Sequence, residues 1–268
     1  LEAFPVGVFL EREPGSLVIS VRRAQERRRQ LLRRQEAWLT FDPHDEATTI
    51  SEGFGPLQVL KEGRLPPLAA ARWPVQDAEI ITYVRAGFLL YEDPTGGSGV
   101  LRAGEFQRTT GSRGARLSER NASTSHAAHV FQIWLRPSAP GLVPGDMLRR
   151  FTKAERHGKL RMVASPDGRD DALRVSQDAF LYSAILDRGQ HVIHELPKGR
   201  CAWLHVVEGN VRIGDETLGV GDGAGFTDER SVSITAMDEC EILLLDLAVA
   251  IDEDEPSYYD PDGVTLQA

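Results

Sequence analysis

Apolar and polar positions alternate with the period of a strand over most of this chain, and glycine and proline cut the alternation into short pieces. EIITYVRAG (79–87) is a β-branched run that ends in a glycine turn. FLLYEDPTGGSGVL (88–101) reads as strand, turn, strand, with Pro94, Gly96, Gly97 and Gly99 making the turn. LRAGEFQRTTG (101–111) is a short strand with a glycine corner, and HVFQIWLRP (129–137) is a strand stopped by Pro137. Earlier in the chain, LVISV (17–21) and LQVL (57–60) suit strands, and 40–54 suits a loop. The Arg- and Gln-rich stretch 22–38 has the composition of a helix, although Leu31, Leu32 and Trp38 form no strong apolar stripe.

PSAPGLVPGD (137–146), with three prolines and two glycines, is the best linker. Beyond it, 149–179 holds the turn-like SPDGRDD, and 180–247 repeats the grammar of the first strand-rich block. ITYVRAG matches LHVVEGN, and LRAGEFQ matches LGVGDGAGF. The strand-ending glycine is Gly87 in one copy and Gly209 in the other, and the next corner is Gly104 or Gly221. A repeated strand-turn-strand unit predicts a duplicated β-domain, and short strands with glycine-rich turns predict a sandwich or jelly-roll barrel. The expected fold class is mostly all-β: two barrels in one chain with a few short helices. The expected limits are an N-terminal extension (1–16), a first barrel (17–136), the linker (137–146), a second barrel (147–249) and an acidic tail (250–268).

With 41% hydrophobic and 26% charged residues, the composition is that of a soluble globular protein. No apolar run approaches the ~20 residues that span a bilayer. Cys201 and Cys240 are too few for a disulfide framework and read as buried thiols in a reducing cytoplasm. A net charge of −9 argues against non-specific nucleic-acid binding. Arg22, Arg23, Arg27, Arg28, Arg29, Arg33 and Arg34 crowd one stretch, and Asp252, Glu253, Asp254, Glu255, Asp260 and Asp262 crowd the far end. These are solvated surfaces, or else they pair with each other or the arginines dock an anionic partner.

WPVQDAEIITYVRAG (73–87) and AGEFQRTTGSRGARLSERN (103–121) resemble the first cupin motif pair of the pirin family, double-cupin proteins linked to quercetin dioxygenase-like chemistry. LVISVRRAQER, VFQIWLRP, KLRMVASPDGRDDALRVSQDAFLYSAIL and WLHVVEGNVRI follow the family's order, so the resemblance covers roughly residues 17–248. It implies two cupin barrels facing each other, with a first site in which His-x-His and His-x-Glu hold one metal, usually iron. Here the matching positions are Trp73, Val75, Leu117 and Glu119, so three of the four ligands are missing. The family's members include dioxygenases and regulators with protein partners.

On an unbroken strand, Trp73, Val75, Asp77, Glu79 and Ile81 share a face, as do Leu117 and Glu119, and Trp73, Val75, Asp77, Glu79, Leu117 and Glu119 are the candidate cavity-lining residues. Trp73, Val75 and Leu117 make such a cavity apolar, so no metal cofactor and no catalytic residue is expected. Alternatively, Asp77, Glu79 and Glu119 form a carboxylate site for Mg²⁺, Ca²⁺ or Mn²⁺, or, without metal, one of them is protonated or paired with Arg85 or Arg116. His126 and His129 are spaced to face opposite ways, as are His191 and His194, and these read as structural or surface residues. His191, His194 and His205 converge only if the chain turns between them. GVGDGAG (219–225) lacks the following helix that a phosphate loop needs. The expectation is a non-catalytic bicupin that binds a small apolar or aromatic ligand or a protein partner. The alternative is a quercetinase-type dioxygenase with an atypical ligand set. Neither a membrane nor a nucleic acid is an expected partner.

Overall fold

The computed structural model describes residues 19–32, 35–42, 53–74, 77–92, 97–111, 116–139, 141–142 and 145–249. The first half contains β1 (Ile19–Arg22), β2 (Arg28–Leu32), β3 (Gln35–Phe41), β4 (Leu57–Leu65), β5 (Ala70–Pro74), β6 (Ala78–Ala86), β7 (Phe88–Glu92), β8 (Ser98–Arg102), β9 (Glu105–Gly111), β10 (Arg116–Arg120), β11 (Ala128–Leu135) and β12 (Asp146–Arg150). After a four-residue helix α1 (Lys153–Arg156) come β13 (Arg161–Ser165), β14 (Leu173–Arg174), β15 (Ala179–Leu186), β16 (His191–Glu195), β17 (Arg200–Glu208), β18 (Val211–Ile213), β19 (Glu216–Leu218), β20 (Gly223–Phe226), β21 (Ser231–Ala236) and β22 (Cys240–Ala248).

These strands form four sheets in two like pairs. The first unit has a seven-stranded sheet, β12-β9-β6-β11-β4-β3-β2, and a four-stranded sheet, β5-β10-β7-β8. The second has β1-β20-β17-β22-β15-β13-β14 and β16-β21-β18-β19. Strand for strand, the orders correspond, as the duplication predicted. Gly87 and Gly209 both take positive φ (76° and 72°), and so do Gly104 and Gly221 (85° and 83°). The Gly104 amide donates to the Val84 carbonyl, and the Gly221 amide donates to that of Val206. A left-handed residue at each corner is what turns the strand back, and glycine adopts it without a Cβ clash.

Sheet membership crosses the expected domain limits in both directions. β1 pairs with β20 and so belongs to the second unit, where it takes the edge position that β12 holds in the first. β12, expected to open the second barrel, pairs with β9 instead. Each unit is thus completed by a strand from outside its own sequence block. The helical reading of 22–38 is also corrected: apart from one 3-10 turn at Ala24–Glu26, this stretch forms the β2–β3 hairpin. The missing stripe was the informative sign, since β3 instead buries alternate residues such as Gln35, Ala37 and Leu39.

The two seven-stranded sheets face each other. Between them lies the largest core, with Phe106, Phe131, Ile133 and Tyr83 from the first unit against Trp203, Leu243 and Leu245 from the second. Fully burying side chains of this size contributes roughly 2–3 kcal/mol each. The other face of each large sheet packs on its own small sheet and forms the barrel interior. Helix α1, capped by Thr152 and Glu155, places Arg156 in the seam between units. Arg156 Nη1 donates to Glu241 (2.8 Å), the Tyr83 hydroxyl oxygen (3.0 Å) and Ser183 (3.1 Å).

Candidate functional site

The continuous strand on which Trp73, Val75, Asp77 and Glu79 were to share a face is broken. β5 ends at Pro74 in the small sheet, and β6 starts at Ala78 in the large one. Val75 lies outside the described residues. Asp77, at the bend between the two strands, is exposed. Glu79 is buried but faces the second unit. Its carboxylate accepts from the Ser176 amide (2.7 Å), the Ser176 hydroxyl (2.6 Å) and the Gln177 amide (3.2 Å). The alternative of one carboxylate site built from Asp77, Glu79 and Glu119 therefore fails, because the side chains point to different compartments. Among the described residues, no three His, Cys, Asp or Glu side chains gather to hold a metal.

Leu117 and Glu119 do share the inward face of β10, and the backbone of Trp73 pairs with Leu117. Leu117 packs with Val59, Ala78, Ile80 and Trp134. One step deeper, the interior turns polar. Gln132 lies between Lys61 on β4 and Thr82 on β6, and Thr82 lies beside Gln107 on β9. This row of four crosses the large sheet, and all four are buried. The Gln132 amide nitrogen donates to Glu119 across the barrel. Burial pulls the Lys61 ammonium down to a pKa of about 8, and the negative charge of Glu119 acts against that pull. Gln132 Oε1 and Trp134 Nε1 are buried without a hydrogen-bond partner among the described residues.

Lys61, Gln132 and Thr82 were not singled out in the sequence. Their signal was a polar residue at an inward position of an otherwise buried strand, Lys61 in LQVLKEGRL and Gln132 in AHVFQIWL. The alternation could have found them only with the register known, because the opposite faces of these strands are buried too.

The histidines separate. His126 is exposed beside Ser125 (2.8 Å), and His129 meets Glu62 (2.8 Å), which also takes Arg27 (2.8 Å). Burial alone would raise the Glu62 pKa, but these hydrogen bonds and charges bring it down to about 2. His191 reaches Ser233 and His194 reaches Asp246, each at 2.8 Å. His205 lies in the seam near Phe131, and neither ring nitrogen has a hydrogen-bond partner among the described residues. Burial, helped by the Arg27 charge, depresses its pKa to about 4.

The arginine cluster is engaged within the fold. Arg22 donates to the Thr40 carbonyl, Arg23 meets Glu216 (2.6 Å) and Asp222 (3.3 Å), Arg28 meets Asp42 (3.0 Å), and Arg29 meets Glu36. With Arg27 on Glu62, five of the seven serve the fold, while Arg33, Arg34 and the acidic tail lie outside the described residues. Cys201 and Cys240 are buried free thiols, each pushed up to about 11 by burial. Gly219–Gly225 makes a turn and enters β20, with no helix following. No helix among the described residues is long and apolar enough to cross a membrane.

Comparison with known proteins returns two family models in sequence: Pirin over residues 21–135, and the quercetinase C-terminal cupin domain over 162–247. A quercetin 2,3-dioxygenase of Escherichia coli K12 is 34% identical over 231 residues, which are 86% of this chain and 99% of that protein. A pirin-like protein of Caulobacter vibrioides is 34% identical over 197 residues, covering 73% of this chain and 84% of that one. Among solved structures, the bacterial pirin YhhW of Escherichia coli in complex with nickel(II) superposes with a TM-score of 0.79 at 33% identity, covering 87% of this chain and all of that one.

Proposed function

The chain belongs to the pirin family, and from that premise we propose that it is a bicupin whose first site works without a metal, binding a small ligand or a regulatory partner rather than oxygenating a substrate. The observation that carries this reading is the donor set at the family's four ligand positions. Trp73, Val75 and Leu117 offer no lone pair to a divalent cation, and the Glu119 carboxylate is already held by Gln132 next to the buried Lys61 ammonium. Iron in a dioxygenase site needs several imidazole or carboxylate ligands converging on it, with positions left open for substrate. The residues present do not fit that requirement, so no reaction step is routed through a metal.

Ligand binding draws support from the barrel interior. Leu117, Trp134, Val59 and Ile80 supply apolar and aromatic surface, and the unpartnered Gln132 Oε1 and Trp134 Nε1 add one acceptor and one donor. That mixture suits a small, largely apolar or aromatic molecule with a polar edge. The buried, high-pKa thiols suit a reducing compartment such as the cytoplasm.

Two measurements on the full chain test the reading. After chelator treatment and incubation with iron, manganese or nickel, plasma mass spectrometry is expected to find less than about a tenth of a metal per chain, since a lone carboxylate holds such ions weakly. Oxygen consumption with quercetin is expected to stay at background. Near-stoichiometric metal with quercetin turnover would overturn the proposal.

A further inference from the structure

We propose that the Lys61 ammonium is the resident cation of the first barrel, standing toward Glu119 where a divalent metal stands in a four-ligand cupin site. The inference rests on the metal-free reading of that site and adds what replaces the metal.

Three observations support it. Lys61 lies on the inward face of β4, in register with Gln132, and Gln132 holds Glu119. Lysine and glutamate are therefore brought to the same region of one interior, and both are buried. Second, the two charges offset each other. A carboxylate taken out of water without a compensating charge is costly, and so is an ammonium. Glu119 is the charge that acts on Lys61 inside this barrel. Third, the second unit lacks both parts. Through the strand correspondence, Lys61, Gln132, Thr82 and Gln107 fall opposite Tyr182, Leu244, Leu204 and Ala224. That row carries no charge and sits in an apolar cluster, with the His194–Asp246 pair beside Tyr182. By the same correspondence Glu119 falls opposite Ile234, so the lysine and the glutamate occur together in one barrel and are both missing from the matching positions of the other.

A metal and this ammonium oppose each other on physical grounds. Glu119 with Lys61 sums to zero charge, whereas a divalent ion added beside the ammonium meets a like charge at short range in a low-dielectric interior. Restoring the imidazoles alone should therefore rebuild only a weak metal site.

The test compares two full-length variants by calorimetric titration with nickel(II), with circular dichroism confirming the fold. One carries Trp73→His, Val75→His and Leu117→His, and the other adds Lys61→Gln. The proposal expects the four-fold variant to bind nickel at least about tenfold more tightly than the three-fold one, because it removes the like charge. Equal affinity in the two would overturn the role of Lys61 while leaving the reading of the four ligand positions intact. If both fold and neither binds, those positions do not converge and the inference falls, while the metal-free reading stands.

A second measurement uses the unrestored chain and does not depend on metal. Lys61→Met and Glu119→Gln should each lower Tm, and the double variant should lose clearly less than the sum of the two. A simple sum would overturn the proposal.

Discussion

The two barrels share one strand order and differ in what they enclose. Across the middle of its large sheet the first presents Lys61, Gln132, Thr82 and Gln107, whereas the second presents Tyr182, Leu244, Leu204 and Ala224. The same backbone therefore carries a polar row across one interior and a largely apolar row across the other. The difference teaches where function and stability have been divided. An apolar interior stabilises simply by being dry and well packed. A buried polar row is neutral at best unless every member is partnered, so its retention in one copy points to a use. The seam between the units is the third environment. There Arg156, Tyr83 and Glu241 form one buried cluster and Arg27, Glu62 and His129 another.

Exchanging a residue between the two interiors breaks the comparison most directly. Leu244→Gln places an amide in the apolar cluster of the second barrel, and it should cost about 4 kcal/mol in chemical denaturation, with a buried, unsatisfied polar group as the cause. Acid is the next largest lever. His205 is protonated at about 4 in the folded chain against 6.5 for the free side chain. Between those values the unfolded chain binds more protons, so the stability this neutral histidine supplies is complete above 6.5 and falls as the pH drops toward 4, by about 3 kcal/mol. Arg27, Glu62, Asp222 and His129 are the charged or titratable neighbours. His205→Leu should flatten the stability curve in that window. The later loss between 4.5, where Glu62 of the unfolded chain takes up its proton, and about 2, where the folded one does, should remain.

Gln132→Leu, the reverse exchange, should cost less than Leu244→Gln, about 2 kcal/mol, because it removes one amide donor from Glu119 and leaves the neighbouring lysine in place. Equal costs for the two exchanges would mean that the interiors are not different in kind. The smallest effect separates the matched corners. An added Cβ meets the Glu239 carbonyl oxygen at 2.3 Å at Gly209 but the Ala127 carbonyl oxygen at 2.9 Å at Gly87. Both glycines have positive φ, so each alanine variant should lose roughly 1–2 kcal/mol from backbone strain, with Gly209→Ala the worse of the two. Thermal denaturation of the pair reads that order.

Period-two alternation with glycine corners was enough to predict the β class and the internal repeat, because strand pleat and left-handed turns are local properties. Gly87 matches Gly209 and Gly104 matches Gly221 from the sequence alone, and the motif order marks the family. The identities of Trp73, Val75, Leu117 and Glu119 likewise needed only the sequence. What a single strand cannot encode is its partner. The 22–38 stretch looked helical by composition and became a hairpin because β4 offers an edge to β3. β1 and β12 complete the opposite unit from the one their positions suggested. Glu79 seemed to belong with Glu119 until the bend at Asp77 sent it to Ser176. Lys61 and Gln132 are ordinary polar residues in two distant segments, and only sheet pairing, which sets register across long sequence separations, brings them together on Glu119.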